Sequence, residues 1–458
     1  MATLAVNPDA PSGIPPRFSR TSAYAAPAFA LALFGVPVYV HLPKFYADTV
    51  GAPLALLGLA ILATRLWDAV LDPAIGAWSD RVRSRWGRRR PFLFAAPVPL
   101  ALAVVLLFSP PDAGDPVWWF GLSMGLGFLA WTAVQVPHAA LGPEIVRGYH
   151  ERTRVFAWRD GLWIAGTLAA AVAPAVARAA VGADGDQSGE RAAFRAMGLA
   201  YAALLVALPW WCAASIEEPA SSPDATPPRG AAGDDGAASP LRNRPFRILL
   251  AAYAVGAFGA ALPGTLLLFY VEHVLVAPEL ADLFLALYFL AGFAVLPLWT
   301  AVARRYGKRE TFLGATFLSI VVFSCAFLLG PGDVVAYGFI VVTSGACFGA
   351  TLVLPSSMQA DTIDVDEVMT GRRREGLYLG LWALVMKASS ALGAGLALPI
   401  LGRMGYVGGQ PQTEEVVQAI RVLYCLVPCA TYLIALAIAW RYPLDEATHA
   451  RLTAGLAR

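Results

Sequence analysis

Apolar stretches of about 20 residues, each long enough to cross a ~30 Å hydrocarbon core as a helix, recur twelve times between Tyr24 and Trp440. In lipid an unpaired backbone amide or carbonyl finds no water, so such stretches are tolerated only as helices whose hydrogen bonds close within the segment. The spacing predicts spans over 24-46, 53-77, 91-110, 116-142, 156-179 and 194-214, then over 246-271, 279-302, 310-330, 334-357, 376-402 and 418-440. Charged residues make up 14% of the chain and hydrophobic ones 58%, whereas a soluble domain carries roughly 25% charged residues to coat its surface. A water-soluble globular protein is excluded on both counts.

The segments between the spans organise them. Residues 1-23 are polar and proline-rich and lack the charged, apolar and small-residue order of a cleavable signal peptide, so the first span is expected to remain in the membrane. Residues 216-245, rich in Pro, Ala, Gly, Ser and Asp, hold too few apolar side chains to fold and read as a flexible cytoplasmic linker. It separates two six-span halves, 24-215 and 246-440, with 441-458 as a tail. Trp86-Gly-Arg-Arg-Arg-Pro-Phe-Leu93 is echoed by Tyr306-Gly-Lys-Arg-Glu-Thr-Phe-Leu313, each following the second span of its half. Parallel repeats of this kind belong to two bundles that rock about a midplane site. The expected fold is an all-α membrane protein with twelve transmembrane helices in two six-helix bundles.

Most of the 34 Lys and Arg fall on one side of this arrangement, among them the arginines from Arg81 to Arg90, Arg304, Arg305, Lys308 and Arg309, and Arg372 to Arg374. The positive-inside bias places that side, with both termini, in the cytoplasm of a bacterial inner membrane. The five cysteines lie inside apolar spans without metal-ligand spacing and read as small core residues. The five histidines are scattered, with no pair in a span that would hold a metal or serve as a base, which argues against a membrane enzyme and against any cofactor. Neither linker nor tails are large enough for a signalling domain, and no nucleic-acid partner is expected.

The second span is the most informative. Asp68 and Asp72 lie four residues apart and share one helix face, with Arg65 one turn before Asp68. Carboxylates in a span are costly unless they face a cavity, a cation or a partner charge. Two at helical spacing supply oxygen ligands for a hard cation such as Na+, or share a proton. Lys387 stands mid-span in the eleventh stretch, about 15 Å from the nearer end. An ammonium at that depth needs carboxylate company, and a two-bundle fold can set it opposite the second span.

These residues carry a resemblance to the glycoside-pentoside-hexuronide cation symporters of the major facilitator superfamily. It rests on Asp68 and Asp72 with the downstream Ser84-Arg-Trp-Gly87, on Ala360-Asp-Thr-Ile-Asp-Val-Asp with the later Gly371-Arg-Arg-Arg374, and on Pro137, Glu144 and Glu151-Arg-Thr-Arg154. The resemblance implies symport of a sugar or glycoside-like solute with H+ or Na+, the cation site being Asp68 and Asp72 and the charge-balancing lysine Lys387. It also implies that Arg159 lines the solute site. Gln135 can donate and accept hydrogen bonds there, and Tyr39, His41, Trp131, Trp163, Tyr253, Tyr378 and Trp382 offer ring platforms.

Two departures bear on the solute. Where the family's melibiose carriers place aspartates on the fourth and first spans, this chain has Gln135 and Ala32. A buried hydroxyl left unmatched costs ~1-3 kcal/mol, which argues against a melibiose-like disaccharide, and fewer anionic oxygens favour a proton over Na+. The alternatives are a transporter of an amphipathic solute such as a lysolipid, on the same fold, or an uncoupled facilitator. Asp80, Arg81, Glu144, Arg154, Asp361, Asp364 and Arg373 sit at corresponding places of the two halves, where opposite charges worth ~0-1 kcal/mol per exposed pair suit a cytoplasmic gate that breaks in every cycle.

Overall fold

The computed structural model describes residues 18–82, 84–145, 149–183, 186–216, 240–370, 375–444, 448 and 451–452. Among these residues eleven helices are long and apolar enough to cross a membrane, and twelve when a bent pair is counted as one span. In chain order they are α1 (Arg20–Asp48), α2 (Leu54–Ser79), α3 (Arg90–Phe108), α4 (Pro116–Gly142), α5 (Val155–Val181), α6 (Gln187–Ser215) and α7 (Arg244–His273). They continue with α8 (Pro278–Ala294 and Leu296–Tyr306), α9 (Lys308–Leu328), α10 (Val334–Thr370), α11 (Leu377–Arg403) and α12 (Glu414–Ala439).

Local chemistry sets where they begin and break. Asp186 opens α6 by accepting from the Gly189 amide at 2.8 Å, and Asn243 opens α7 by accepting from Phe246 at 3.3 Å. Each satisfies an amide that the first helical turn leaves orphaned. The two parts of α8 meet at 42°. Pro297 lies just past that break and cannot donate to the carbonyl four residues earlier, the usual cause of so sharp a bend. α10 runs for 37 residues as one helix, about 55 Å at 1.5 Å per residue. It therefore carries Asp361 and Asp364 beyond any ~30 Å hydrocarbon layer.

The repeat seen in the sequence recurs in the backbone. Gly87 and Gly307 both have positive φ, 97° and 88°, a conformation that glycine adopts without strain. Deeper in the halves, a Cβ on Gly166 of α5 would clash with the carbonyl oxygen of Phe29 in α1 and stand 2.9 Å from Ala32 Cβ. A Cβ on Gly393 of α11 would clash with the carbonyl oxygen of Phe258 in α7 and stand 2.9 Å from Ala261 Cβ. The missing side chain lets each helix pair approach backbone to backbone, as small residues do in membranes.

Between the halves, α2 runs along α11 and α5 along α8. α2 and α11 pinch together at the end of the molecule opposite the termini, here called the far end. A Cβ on Gly58 would overlap Pro399 Cδ, one on Gly395 would lie 2.7 Å from Leu62 Cβ, and one on Gly402 2.8 Å from the Ala55 nitrogen. Nearer the other end of α11, Gly380 is exposed and a Cβ there would meet nothing within 4 Å.

Candidate transport site

On α2 the face that carries Arg65, Asp68 and Asp72 turns to α11. Lys387 Nζ lies 2.9 Å from Asp68 Oδ2 and 2.5 Å from Asp72 Oδ2, so one ammonium from the second half bridges two carboxylates of the first. Asp68 is 2% exposed and accepts a further hydrogen bond, 3.2 Å, from the Thr132 hydroxyl of α4. The other Asp72 oxygen, Oδ1, is buried without a partner. Asp68 is the buried member, with Lys387 and Asp72 partly open to solvent, so removing Lys387 would leave the Asp68 charge uncompensated, the costliest case for an ion pair.

Arg65, one turn away, does not pair with Asp68. Its guanidinium carbon lies 3.3 Å from the centroid of the Tyr39 ring, and its Nε is buried without a hydrogen-bond partner. It opens on a cavity of about 280 Å³ between the halves, lined also by Tyr39, Tyr253, Thr265, Met386 and Ser390. A second cavity of about 290 Å³ lies in the second half among Phe289, Phe312, Phe323 and Phe348. The two share the wall made by Tyr253, Ala257, Ala260 and Gly264 of α7. A mostly apolar hollow with a few convergent polar groups is the usual character of a small-molecule site.

Of the residues singled out from the sequence, Asp68, Asp72 and Lys387 are brought together, and Tyr39 and Tyr253 line the cavity beside them. Tyr253 stacks on Trp382, ring centroids 4.5 Å apart. Trp131, Trp163, Trp382, Gln135 and Arg159 line neither cavity. Trp131 donates to the Leu31 carbonyl at 3.3 Å, and Trp163 packs against the main apolar core. Gln135 is half-buried on α4. Arg159 pairs with its neighbour Asp160 at 2.8 Å and lies over the Phe156 ring. Tyr378 is a packing residue, its hydroxyl accepting from Asn243 and its ring set edge-on to Phe246.

His41 is not a ring platform either. It meets the buried carboxylate of Asp282 at 3.2 Å, and Arg178 pairs with the same carboxylate, which joins α1, α5 and α8 at the far end. Lys44 of α1 pairs with both Asp48 and Glu272 of α7, and Tyr406 donates to Asp48 at 2.8 Å. The sequence signal for this latch is Asp282 itself, an acid just inside an apolar span.

Of the gate residues, Asp361 accepts both oxygens' worth of contact from Lys308 of its own half, at 2.7 Å each. Arg81 is exposed and Asp364 half-buried. The side chains of Asp80, Glu144 and Arg154, and all of Arg373, lie outside the described residues. Among the described residues no group of three or more His, Cys, Asp and Glu could hold a metal ion. The oxygens suited to a monovalent cation are those of Asp68, Asp72 and Thr132, and the unpartnered Asp72 Oδ1 fits such a role.

Comparison with known proteins agrees with this architecture. The family model described as MFS/sugar transport protein matches residues 23–446. The chain is 30% identical to the glucuronide carrier protein homolog of Escherichia coli over 89% of this chain and 88% of that one. It is 26% identical to the isoprimeverose transporter of Lactiplantibacillus pentosus, with 94% of this chain and 89% of that one covered. The solved structure of the nucleoside transporter NupG superposes with a TM-score of 0.65 at 9% identity, covering 93% of this chain and 100% of that one, a likeness of fold. The protein is thus a multi-pass membrane transporter, and it belongs to the MFS/sugar transport protein family, within the glycoside-pentoside-hexuronide cation symporters.

Proposed function

We propose that the protein carries a sugar or glycoside-like solute across the bacterial inner membrane together with H+ or Na+, by alternating access, with both termini in the cytoplasm. The observation that carries this reading is the Lys387 bridge. Its ammonium comes from the half opposite the carboxylates, 2.9 and 2.5 Å from Asp68 and Asp72, so whether it neutralises them depends on how the halves are rocked. A cation that takes its place among the carboxylate oxygens competes with an inter-half bond. Ion occupancy and conformation are thereby linked, which is what coupling requires. The solute would enter the cavity beside Arg65, against Tyr39 and Tyr253.

The far-end latch and the pinched glycines support a state closed to the periplasm. The charged groups at the other end would then form and break the cytoplasmic gate. The test is uptake by proteoliposomes under imposed ion gradients. Asp68→Asn, Asp72→Asn and Lys387→Ala are each expected to abolish cation-driven accumulation, and undiminished, still cation-dependent uptake by the two Asp→Asn variants refutes the coupling assignment. A second reading, transport of an amphipathic solute, draws support from the aromatic cavity of about 290 Å³ that shares a wall with the first. Competition by lysolipids but not by sugars would favour it.

A further inference from the structure

The turn that joins α2 to α3 is a fixed platform. The Gly87 amide donates to the Ser84 carbonyl at 3.1 Å, closing a tight turn. The Ser84 hydroxyl donates to the Gly87 carbonyl at 2.7 Å and accepts from the Trp86 amide at 3.1 Å. The two residues at the tip, Arg85 and Trp86, are both exposed, and the Arg85 guanidinium lies 5.1 Å from the centroid of the Trp86 ring. The ring face attracts the cation and gives the charge a resting place.

Behind Trp86 the surface continues in aromatic rings. Trp86 stands 5.9 Å from Phe94 of α3, and the exposed Trp210 of α6 donates its indole N–H to the Phe94 carbonyl at 2.9 Å. Arg90, at the start of α3, donates from Nε to the Ala213 carbonyl of α6 at 2.9 Å. The turn, α3 and α6 are thus tied into one shelf where spans end, the level at which indole rings settle between headgroups and acyl chains. The stretch from Arg81 to Arg90 holds six arginines and no acid. In the second half Arg305 likewise lies over Tyr306, at 5.5 Å, but acids stand beside that turn. Asp361 pairs with Lys308, and Glu310 with Arg309.

From the guanidinium set on its ring and the aromatic shelf behind it, we infer that the α2–α3 turn and the end of α6 form a docking site for one anionic phospholipid of the phosphatidylglycerol type, in the leaflet on the side of the termini. Its phosphate meets Arg85, and its glycerol and upper acyl chains lie along Trp86 and Trp210. A zwitterionic headgroup brings its own cation, which the neighbouring arginines repel, so the site selects net negative charge. The lipid is stationary and distinct from any solute carried. It holds the end of the span that bears Asp68 and Asp72 at a set depth.

Native mass spectrometry of the full chain, released from mixed micelles, counts retained lipids during titration with phosphatidylglycerol or with phosphatidylcholine. One phosphatidylglycerol is expected to bind tighter than phosphatidylcholine by on the order of tenfold or more, each arginine near the headgroup contributing about fivefold. Arg85→Ala should weaken phosphatidylglycerol by about fivefold and leave phosphatidylcholine unaffected. Trp86→Ala should weaken both lipids, and Arg305→Ala neither.

Equal retention of the two lipids, a preference unaltered in Arg85→Ala, or an equal loss of preference in Arg305→Ala overturns the inference. Should Arg85→Ala not be monodisperse, Arg85→Gln takes its place, a reduced preference supporting the site and an unaltered one overturning it. Displacement of the lipid by glycerol 3-phosphate or by poly-glutamate would assign the shelf to a soluble anion or an acidic protein and overturns it too. Uptake plays no part in these readouts, so their failure leaves the coupling reading untouched.

Discussion

A methyl group on Gly58 tests whether the far-end pinch belongs to one conformation or to the fold as a whole. The added carbon would overlap Pro399 Cδ and stand 2.9 Å from Leu398 Cβ, where carbon atoms rest at ~3.5–4.0 Å. Neither helix backbone can yield locally, so α11 must withdraw by about 1 Å. Overpacking of this size costs ~1–3 kcal/mol. If the cost arises only where the far ends meet, it shifts the equilibrium towards the opposite arrangement by ~5- to 150-fold. Nitroxide labels on Ala113→Cys and Gln410→Cys, both exposed far-end positions on opposite halves, report the separation by pulsed electron resonance. Cys325→Ser is needed as background, because Cys325 is exposed while the other four cysteines are buried. Gly58→Ala is expected to populate longer label distances at an almost unchanged melting temperature. An unchanged distance distribution with a lowered melting temperature would refute the reasoning, since the clash would then burden both arrangements alike.

The same labels read the polar latch. Asp282→Asn takes the shared anion from His41 and Arg178 and is expected to lengthen the distances as Gly58→Ala does; no change means that the latch does not hold the halves. Thr132→Val keeps the shape of the side chain but withdraws the hydroxyl from Asp68, and the orphaned carboxylate oxygen should cost ~1–3 kcal/mol. As the loss of one oxygen ligand for Na+, the change should raise the Na+ concentration giving half-maximal uptake by about tenfold or more, and an unaltered value would remove Thr132 from the cation site.

Much of the fold was legible because lipid leaves the backbone few options. Span lengths, the proline- and glycine-marked breaks and the two-half repeat are local properties, and local properties are what a chain displays in order. Asp68, Asp72 and Lys387 were conspicuous for the same reason, as charges where charge is costly. Contacts that depend on topology were not legible. Nothing near Arg65 tells that Lys387, rather than Arg65, takes Asp68, or that Tyr39 lies beneath the guanidinium. Asp282 reads as an ordinary residue at a helix start until α1 and α5 are folded against it. Tyr378 and the tryptophans show the converse ambiguity. An aromatic ring in a span is as useful for packing as for binding, and sequence spacing does not separate the two.

The paired glycine contacts, Gly166 on Phe29 and Gly393 on Phe258, have a bearing on ancestry as well as on mechanics. A protein made by doubling a six-helix unit inherits each close contact twice, and the copies are free to diverge once they serve different ends. The basic turns after the second spans have done so, keeping the glycine but changing most of its neighbours. These two helix crossings have kept not only the glycine but the facing carbonyl and alanine. Each half is thus spanned by a helix pair set at one and the same close spacing, a shared frame on which the two halves carry different chemistry, carboxylates on one side and the bridging ammonium on the other.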